Sequence, residues 1–389
     1  MKNVIFNFFY LFFLFILYLI SIPFLIYLSF KKKYKKSIPS RFFLINNSPF
    51  TKKLHYFHAC SLGETKALKP LIEQFDEVNL SVITNTGYAE AKRYKNVHLR
   101  FLPFEIFLPF WLKPCKTLVV MEAELWYMFF YLAKRRCNKT VLLNARISEK
   151  SYPKYLKFKW FYKKIFENID IVLAQSAEDK KRLLNLGAKN IKVTGNIKTY
   201  FNPKITTEFI KKKPLLILAS THKNEEELIL PKLDLNKFQV AVVPRHPERF
   251  DEVYNIMKKY GKVEKISEKF NNGKWKMENG KWKINIDEDL VLIDKMGELI
   301  NLYQVADIVI LGGSFVDNVG GHNPVEAAYF NKPIISGKYY FNQTALYNEV
   351  ENIEICEIDE IKEKIKAAKI TKIKNILNLE EIINIIENG

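Results

Sequence analysis

Short apolar runs that end in polar or small residues recur along the chain, separated by amphipathic stretches. Residues 53–57 run into HACSLGE (58–64), after which Leu68, Leu71, Ile72 and Phe75 follow at helical spacing. Residues 80–83 run into TNTG and then a helical stretch over 88–94. In the same way 117–121 end in EAELW, 141–143 in NARIS, 171–174 in QSAED and 191–194 in GNIK. A polar, lysine-rich break with two prolines follows at 201–214, and the pattern then resumes. Residues 214–219 end in STHKNEEE, 238–243 in PRHPERF, 290–293 in DKMGE and 308–311 in a glycine-rich loop. Strand, loop and helix in alternation predict an α/β fold with parallel sheets covered by helices. Each polar cluster directly follows a strand, which puts it on the carboxyl edge of its sheet, where open α/β sheets bind ligands. The NGKWK repeat at 272–283 reads as a hairpin turning at Asn279-Gly280, and 358–389 as a helical, charge-rich tail.

The richest stretch is 296–328, read as helix, buried strand, loop and second helix. Four of the chain's 14 glycines, Gly312, Gly313, Gly320 and Gly321, lie in the loop, where a ligand can approach the backbone. The second helix has a capping-box start, with Asn323 at the N-cap, Pro324 first and Glu326 third. Such a helix start suits a phosphorylated ligand.

The beginning of the chain breaks the pattern. From Asn3 to Phe30 there is no charged residue, enough apolar sequence for a membrane helix of about 20 residues, and KKKYKK (31–36) follows. The stretch is too long for a signal peptide and lacks a small-residue cleavage site. The basic collar predicts a cytoplasmic body behind a membrane anchor, while Pro23 leaves a kinked monotopic insertion open.

At 389 residues the chain exceeds one ordinary core, so two α/β domains are expected. The boundaries read as anchor and collar 1–36, first domain 37–200, linker 201–213 and second domain with tail 214–389. Apolar content of 48% with 26% charged residues is that of a folded protein. The net charge of +19 reflects either a general lysine bias or attraction to an anionic surface, and the apolar start points to membrane rather than nucleic acid. Four cysteines without CxxC spacing suggest a reducing compartment and no zinc site. No HExxH spacing or Walker-type loop occurs, and the one Asp-x-Asp (287–289) precedes a strand, so no metal is expected.

Glu64 follows a glycine where a strand turns into a helix. It can act as a general base toward a hydroxyl, or only complement the helix dipole. Glu122 and Glu124 end a buried strand and must find partners or shift in pKa; a catalytic and a structural role are both open. A paired-carboxylate glycosidase would leave the nucleotide-type loop unexplained. Arg245, His246 and Arg249 form a cationic group suited to phosphate, or a salt-bridge cluster with Glu248. Lys198 sits beside the linker, and Glu326 can cap its helix or hold ribose hydroxyls.

As a set, HACSLGE, TNTG, MEAELW, LLNARIS, QSAEDKKRLLNLGA, GNIK, ASTH, VPRHPERF, MGEL, ADIVILGGSF and GGHNPVEAA resemble the 3-deoxy-D-manno-octulosonic acid (Kdo) transferases that decorate lipid A. The motifs are short, but their order and spacing span nearly the whole chain. The resemblance implies the GT-B glycosyltransferase fold, two Rossmann-like domains facing a cleft behind an N-terminal membrane-anchor helix. It also implies inverting transfer of Kdo from CMP-Kdo to a lipid A precursor (lipid IVA) at the cytoplasmic face of the inner membrane, without a further cofactor. On that resemblance Glu64 matches the general base, and Glu122 and Lys198 the transition-state stabilisers. Pro244, Arg245, Met296, Gly297, Glu298, Asn323, Pro324, Val325, Glu326 and Ala327 match the CMP contacts. Three departures stand out. The VDNVGGHN loop is a residue longer than the family's usual form, Asn224 replaces a glycine after STH, and Tyr127 replaces a proline after ELW. The competing readings are a GT-B enzyme using a UDP-sugar and a non-catalytic anchored scaffold.

Overall fold

The computed structural model describes residues 2–271, 276–375 and 377–388. The chain forms two compact units, 1–200 together with 377–389, and 201–376. The first unit is built on seven parallel strands: β1 (His55–Ala59), β2 (Val78–Val82), β3 (Val97–Phe101), β4 (Thr117–Met121), β5 (Lys139–Ala145), β6 (Ile171–Ala174) and β7 (Ile191–Val193). They lie in the order β3-β2-β1-β4-β5-β6-β7. The central strands β2 and β4 are buried at every residue, so they read as continuous apolar runs instead of alternating. The strand order reverses between β1 and β4, which makes the loops after these two strands the crevice of the sheet.

In the second unit β8 (Thr207–Ile210), β9 (Leu215–Thr221), β10 (Gln239–Pro244), β11 (Val263–Lys265), β12 (Lys276–Glu278), β13 (Lys281–Asn285), β14 (Leu290–Leu292), β15 (Ile308–Leu311), β16 (Ile334–Ser336), β17 (Val350–Glu351) and β18 (Glu354–Ile355) follow in sequence. The main sheet runs β11-β14-β10-β9-β15-β16-β18, all parallel. Its order reverses between β9 and β15, so the glycine-rich loop after β15 lies at this sheet's crevice. The fold is thus mixed α/β with a doubly wound parallel sheet in each unit.

The structure departs from the sequence reading in four places. The expected linker at 201–213 contains β8, which pairs in parallel with β13; its polar, proline-flanked sequence hides the buried Phe209. The hairpin turn at Asn279-Gly280 is present, with both residues at positive φ (51° and 74°), but its second strand joins β8 in a three-stranded sheet. The first NGKWK copy lies largely outside the described residues. The tail does not stay with the second unit: its last helix, Leu379–Glu387, buries Leu379, Ile382 and Ile386 on the first unit's core, and Thr117 Oγ1 donates to Ile386 O at 2.9 Å. Finally, the cysteines are not four separate thiols. Cys115 precedes β4 and Cys137 ends the helix Tyr127–Arg136 that returns beside it; their Cα atoms are 4.5 Å apart and the two form a disulfide.

The N-terminal helix, Lys2–Ser29, is long and apolar enough to cross a membrane and carries Pro23 inside it.

Candidate active site

In the first unit the loop after β1 opens the helix Leu62–Ile72, with Ser61 as N-cap. Glu64 stands at the third helical position and is 8% exposed. Its Oε2 accepts the Cys60 N–H at 2.8 Å and its Oε1 the Ser61 hydroxyl at 2.9 Å, while Ser61 Oγ accepts the Glu64 N–H at 3.4 Å. The capping reading of this residue is therefore realised. It does not exhaust the carboxylate, since each oxygen has a second lone pair. Burial pushes the Glu64 pKa up and the neighbouring carboxylates Glu122 and Glu124 push it further, against the Cys60 and Ser61 hydrogen bonds. A carboxyl so placed is a better proton acceptor near neutral pH than a solvated one.

Glu122 follows β4 across the crevice of the same sheet. Its backbone lies in the left-handed region at φ 54°, a strain on the order of 1–3 kcal/mol for a non-glycine residue. The Glu122 N–H donates to Leu143 O at 2.8 Å, which helps hold it there. Glu122 Oε1 receives Lys198 Nζ at 2.5 Å and Asn144 Nδ2 at 3.4 Å. Asn144, at the end of β5, accepts the Ile197 N–H at 2.9 Å on its Oδ1, so it ties the Lys198 loop to the Glu122 loop. Loops after β1, β4, β5 and β7 thus bring Glu64, Glu122 and Lys198 into one cluster, as their strand-end positions suggest.

Two members of this cluster escape sequence reasoning. Asn144 heads the NARIS cluster after its strand, but nothing in the sequence assigns it a role there. Arg41, in the short helix Ser37–Phe42, donates to Leu102 O at 2.9 Å, and its guanidinium lies near Cys60 and Glu124. Burial lowers its pKa to about 10 while those two groups hold it up. Just past a lysine-rich collar, nothing marks this arginine. Glu124 itself accepts the Trp126 indole N–H at 2.7 Å.

In the second unit Pro244, Arg245, Met296, Gly297 and Glu326 line one cavity of about 240 Å³, together with apolar residues such as Val243, Ile293 and Ile300. Loops after β10 and β14 and the helix Val325–Tyr329 supply these residues. Glu326 is raised in pKa by burial and lowered by a hydrogen bond with Asn323 and by the Arg245 charge. The other candidates do not line this cavity. Glu298 is buried and takes Lys295 and the Asn301 amide, the latter at 2.7 Å, so its carboxylate is occupied within its own turn. Val325 and Ala327 are buried in the core. Asn323 Oδ1 accepts the Val325 N–H at 3.0 Å, and Pro324 is the residue before the helix proper, which starts one position later than the sequence suggests.

Arg249 is not free to meet phosphate. It makes two 2.9 Å bonds to the buried Glu226 carboxylate and also reaches Glu252. The compact cationic group in PRHPERF is therefore divided, with Arg245 at the cavity and Arg249 in a structural pair. A second buried carboxylate, Glu225, accepts the N–H groups of His222 (2.9 Å), Gly313 (2.7 Å) and Phe315 (3.1 Å), pinning the loops after β9 and β15 together. A Cβ at Gly312 would lie 2.8 Å from Ser220 O, so the close approach of these loops requires glycine there. His222 and His322 face each other, Nε2 to Nε2 at 2.9 Å, and burial with nearby His246 and Arg245 holds both down to about 4.

Two doubly wound parallel sheets, one with a buried carboxyl of raised pKa at its crevice and the other with a cavity lined by Arg245, fit a two-unit α/β transferase. The family model for 3-deoxy-D-manno-octulosonic-acid transferase (kdotransferase) matches residues 36–201. A 3-deoxy-D-manno-octulosonic acid transferase of Haemophilus influenzae is 30% identical over 90% of this chain and 86% of its own length. A bifunctional glycosyltransferase/methyltransferase of Fusobacterium nucleatum is 30% identical over 76% of this chain, which spans 49% of that protein. Among solved structures, the C-terminal CMP-Kdo binding domain of WaaA from Acinetobacter baumannii is similar at 25% identity over 45% of this chain and 87% of that one, with a TM-score of 0.32. The chain belongs to the Kdo transferase family of glycosyltransferases.

Proposed function

We propose that the protein transfers Kdo from CMP-Kdo to a lipid A precursor, lipid IVA, with inversion at the anomeric centre, at the cytoplasmic face of the inner membrane. The observation that carries this reading is the buried Glu64 at the crevice of the first sheet, beside the Glu122–Lys198 pair. Glu64 takes the proton of a sugar hydroxyl as it attacks the anomeric carbon. CMP leaves as a phosphate monoester and needs no acid, and Arg245 balances the charge it carries away. Charge on the sugar ring develops toward an oxocarbenium ion, which the Glu122 carboxylate favours, while Lys198 holds that carboxylate in place. The cavity lined by Pro244, Arg245, Met296, Gly297 and Glu326 takes the CMP moiety. The apolar helix and basic collar keep the enzyme at an anionic membrane surface, where a phosphorylated lipid acceptor resides.

The test is incubation with CMP-Kdo and lipid IVA, read by mass spectrometry of the lipid, which also gives the number of sugars added. Wild type is expected to add Kdo. Glu64→Ala is expected to lose turnover by a factor of about 100 or more while retaining CMP affinity. Turnover in that variant equal to wild type would reject the assigned base, and no product with this substrate pair would favour the UDP-sugar alternative.

A further inference from the structure

The N-terminal helix is docked along the first unit over most of its length. Tyr127 OH donates to Asn7 Oδ1 at 2.6 Å, Tyr10 OH to Glu105 Oε2 at 2.6 Å and Tyr18 OH to Phe42 O at 2.7 Å. Edge-to-face rings at 5.2 Å (Phe6–Tyr127) and 5.3 Å (Tyr18–Phe107) accompany them. Asn7, Leu14 and Leu25 are buried. From residue 7 to residue 25 the helix advances about 27 Å, nearly the roughly 30 Å hydrocarbon thickness of a bilayer.

A helix crossing the membrane while keeping these contacts would carry its partners into the hydrocarbon. Those partners include the Glu105 carboxylate, which also accepts the Met128 N–H at 2.7 Å, and the helix Tyr127–Arg136 with Lys134, Arg135 and Arg136 in its last turn. Charges at that depth cost several kcal/mol each, and irregular backbone there has no water to satisfy it.

The opposite face of the helix is bare and apolar, with Phe8, Phe13 and Ile20 between 64% and 73% exposed. The body extends that surface. Trp160 is 59% exposed and packs edge-on against Phe6, and Phe110 is 79% exposed just after the 105–107 turn. Lysines border it: Lys164 Nζ lies 4.7 Å over the Phe6 ring, and 31–36 close the other end of the helix. Lysine borders repel a second copy of this chain and attract anionic headgroups, so the occupant that fits is a lipid leaflet.

We propose that the Lys2–Ser29 helix does not cross the membrane but lies in its plane, docked on the first unit, with its outer face among the acyl chains of one leaflet. This deepens the membrane assignment and rests on it, not on the sugar chemistry. The test is an epitope placed ahead of Met1 in the full-length protein, probed by protease in intact spheroplasts and in inverted membrane vesicles. In-plane binding predicts a tag accessible only in inverted vesicles, on the side of the catalytic body. In addition, Asn7→Cys combined with Tyr127→Cys is expected to cross-link in native membranes. A tag cleaved in intact spheroplasts, or protein recovered in the soluble fraction, overturns the proposal. Neither readout depends on turnover, so failure of the Kdo assignment would leave this result standing, and the reverse.

Discussion

At the scale of single residues, Glu64 combines a capping role in the fold with the place of the base in the proposed reaction. It completes the start of its helix and, through burial beside two other carboxylates, keeps an elevated pKa. If it is the base, the acid limb of kcat/KM lies above the ordinary carboxylate value of 4.5. Glu124→Gln removes one of the neighbouring charges and is expected to move that limb to lower pH without abolishing turnover; an unmoved limb would mean another group sets it. Lys198→Met should lower kcat by about 10- to 100-fold with CMP affinity unchanged, because it leaves the Glu122 carboxylate unpaired at a strained position. Residues such as Glu64 and Glu122 were legible in sequence because they end apolar runs. Asn144 also ends an apolar run, but its role in tying two loops is not readable there, and Arg41 carries no such signal, because both act through contacts between loops far apart in the chain.

At the scale of elements, the strands were the most readable part, because a strand buried on both faces leaves an unbroken apolar run. Strands at 117–121, 171–174 and 308–311 fall where that pattern puts them. What failed had a common cause. The strand at 207–210 and the last helix are short or charged elements whose partners lie 75 to 269 residues away, beyond the reach of local periodicity. The Asn224 departure has a local account: it opens its helix at φ 76°, a conformation for which glycine or asparagine is suited. The Arg249–Glu226 pair belongs to this scale as well, since it clamps the start of one helix to another. Arg249→Leu leaves a fully buried carboxylate without its countercharge, held only by the Thr221 hydroxyl, and is expected to destabilise the second unit by about 3–5 kcal/mol, read as a lower urea midpoint; the double replacement with Glu226→Leu should recover most of that loss.

For the whole molecule, buried histidines tie stability to pH. His58 lies wholly inside the first sheet, bonded to Ser81 Oγ at 2.7 Å, and burial beside the Arg41 charge pushes it down to about 3. The unfolded chain takes up this proton near pH 6.5 and the folded chain does not, so the unfolded state binds more protons below that point. Its contribution is present above pH 6.5 and is lost as pH falls toward 3, with a slope of about 1.4 kcal/mol per unit. Buried carboxyls with raised pKa, Glu105 among them, oppose the trend, so the reading is a difference. Between pH 6.5 and 5 the urea stability of wild type should fall more steeply than that of His58→Asn, and parallel slopes would remove His58 from the account.

The return of residues 377–388 to the first sheet bears on how the chain is made. The second unit is an insertion within the first, entered at Phe201 and left at Ile376. During synthesis the first sheet must wait, with the groove for Leu379, Ile382 and Ile386 uncovered, until more than 170 further residues have left the ribosome. The half of the protein that emerges first is therefore the half that finishes folding last, and a nascent chain halted before residue 377 is the form expected to engage chaperones.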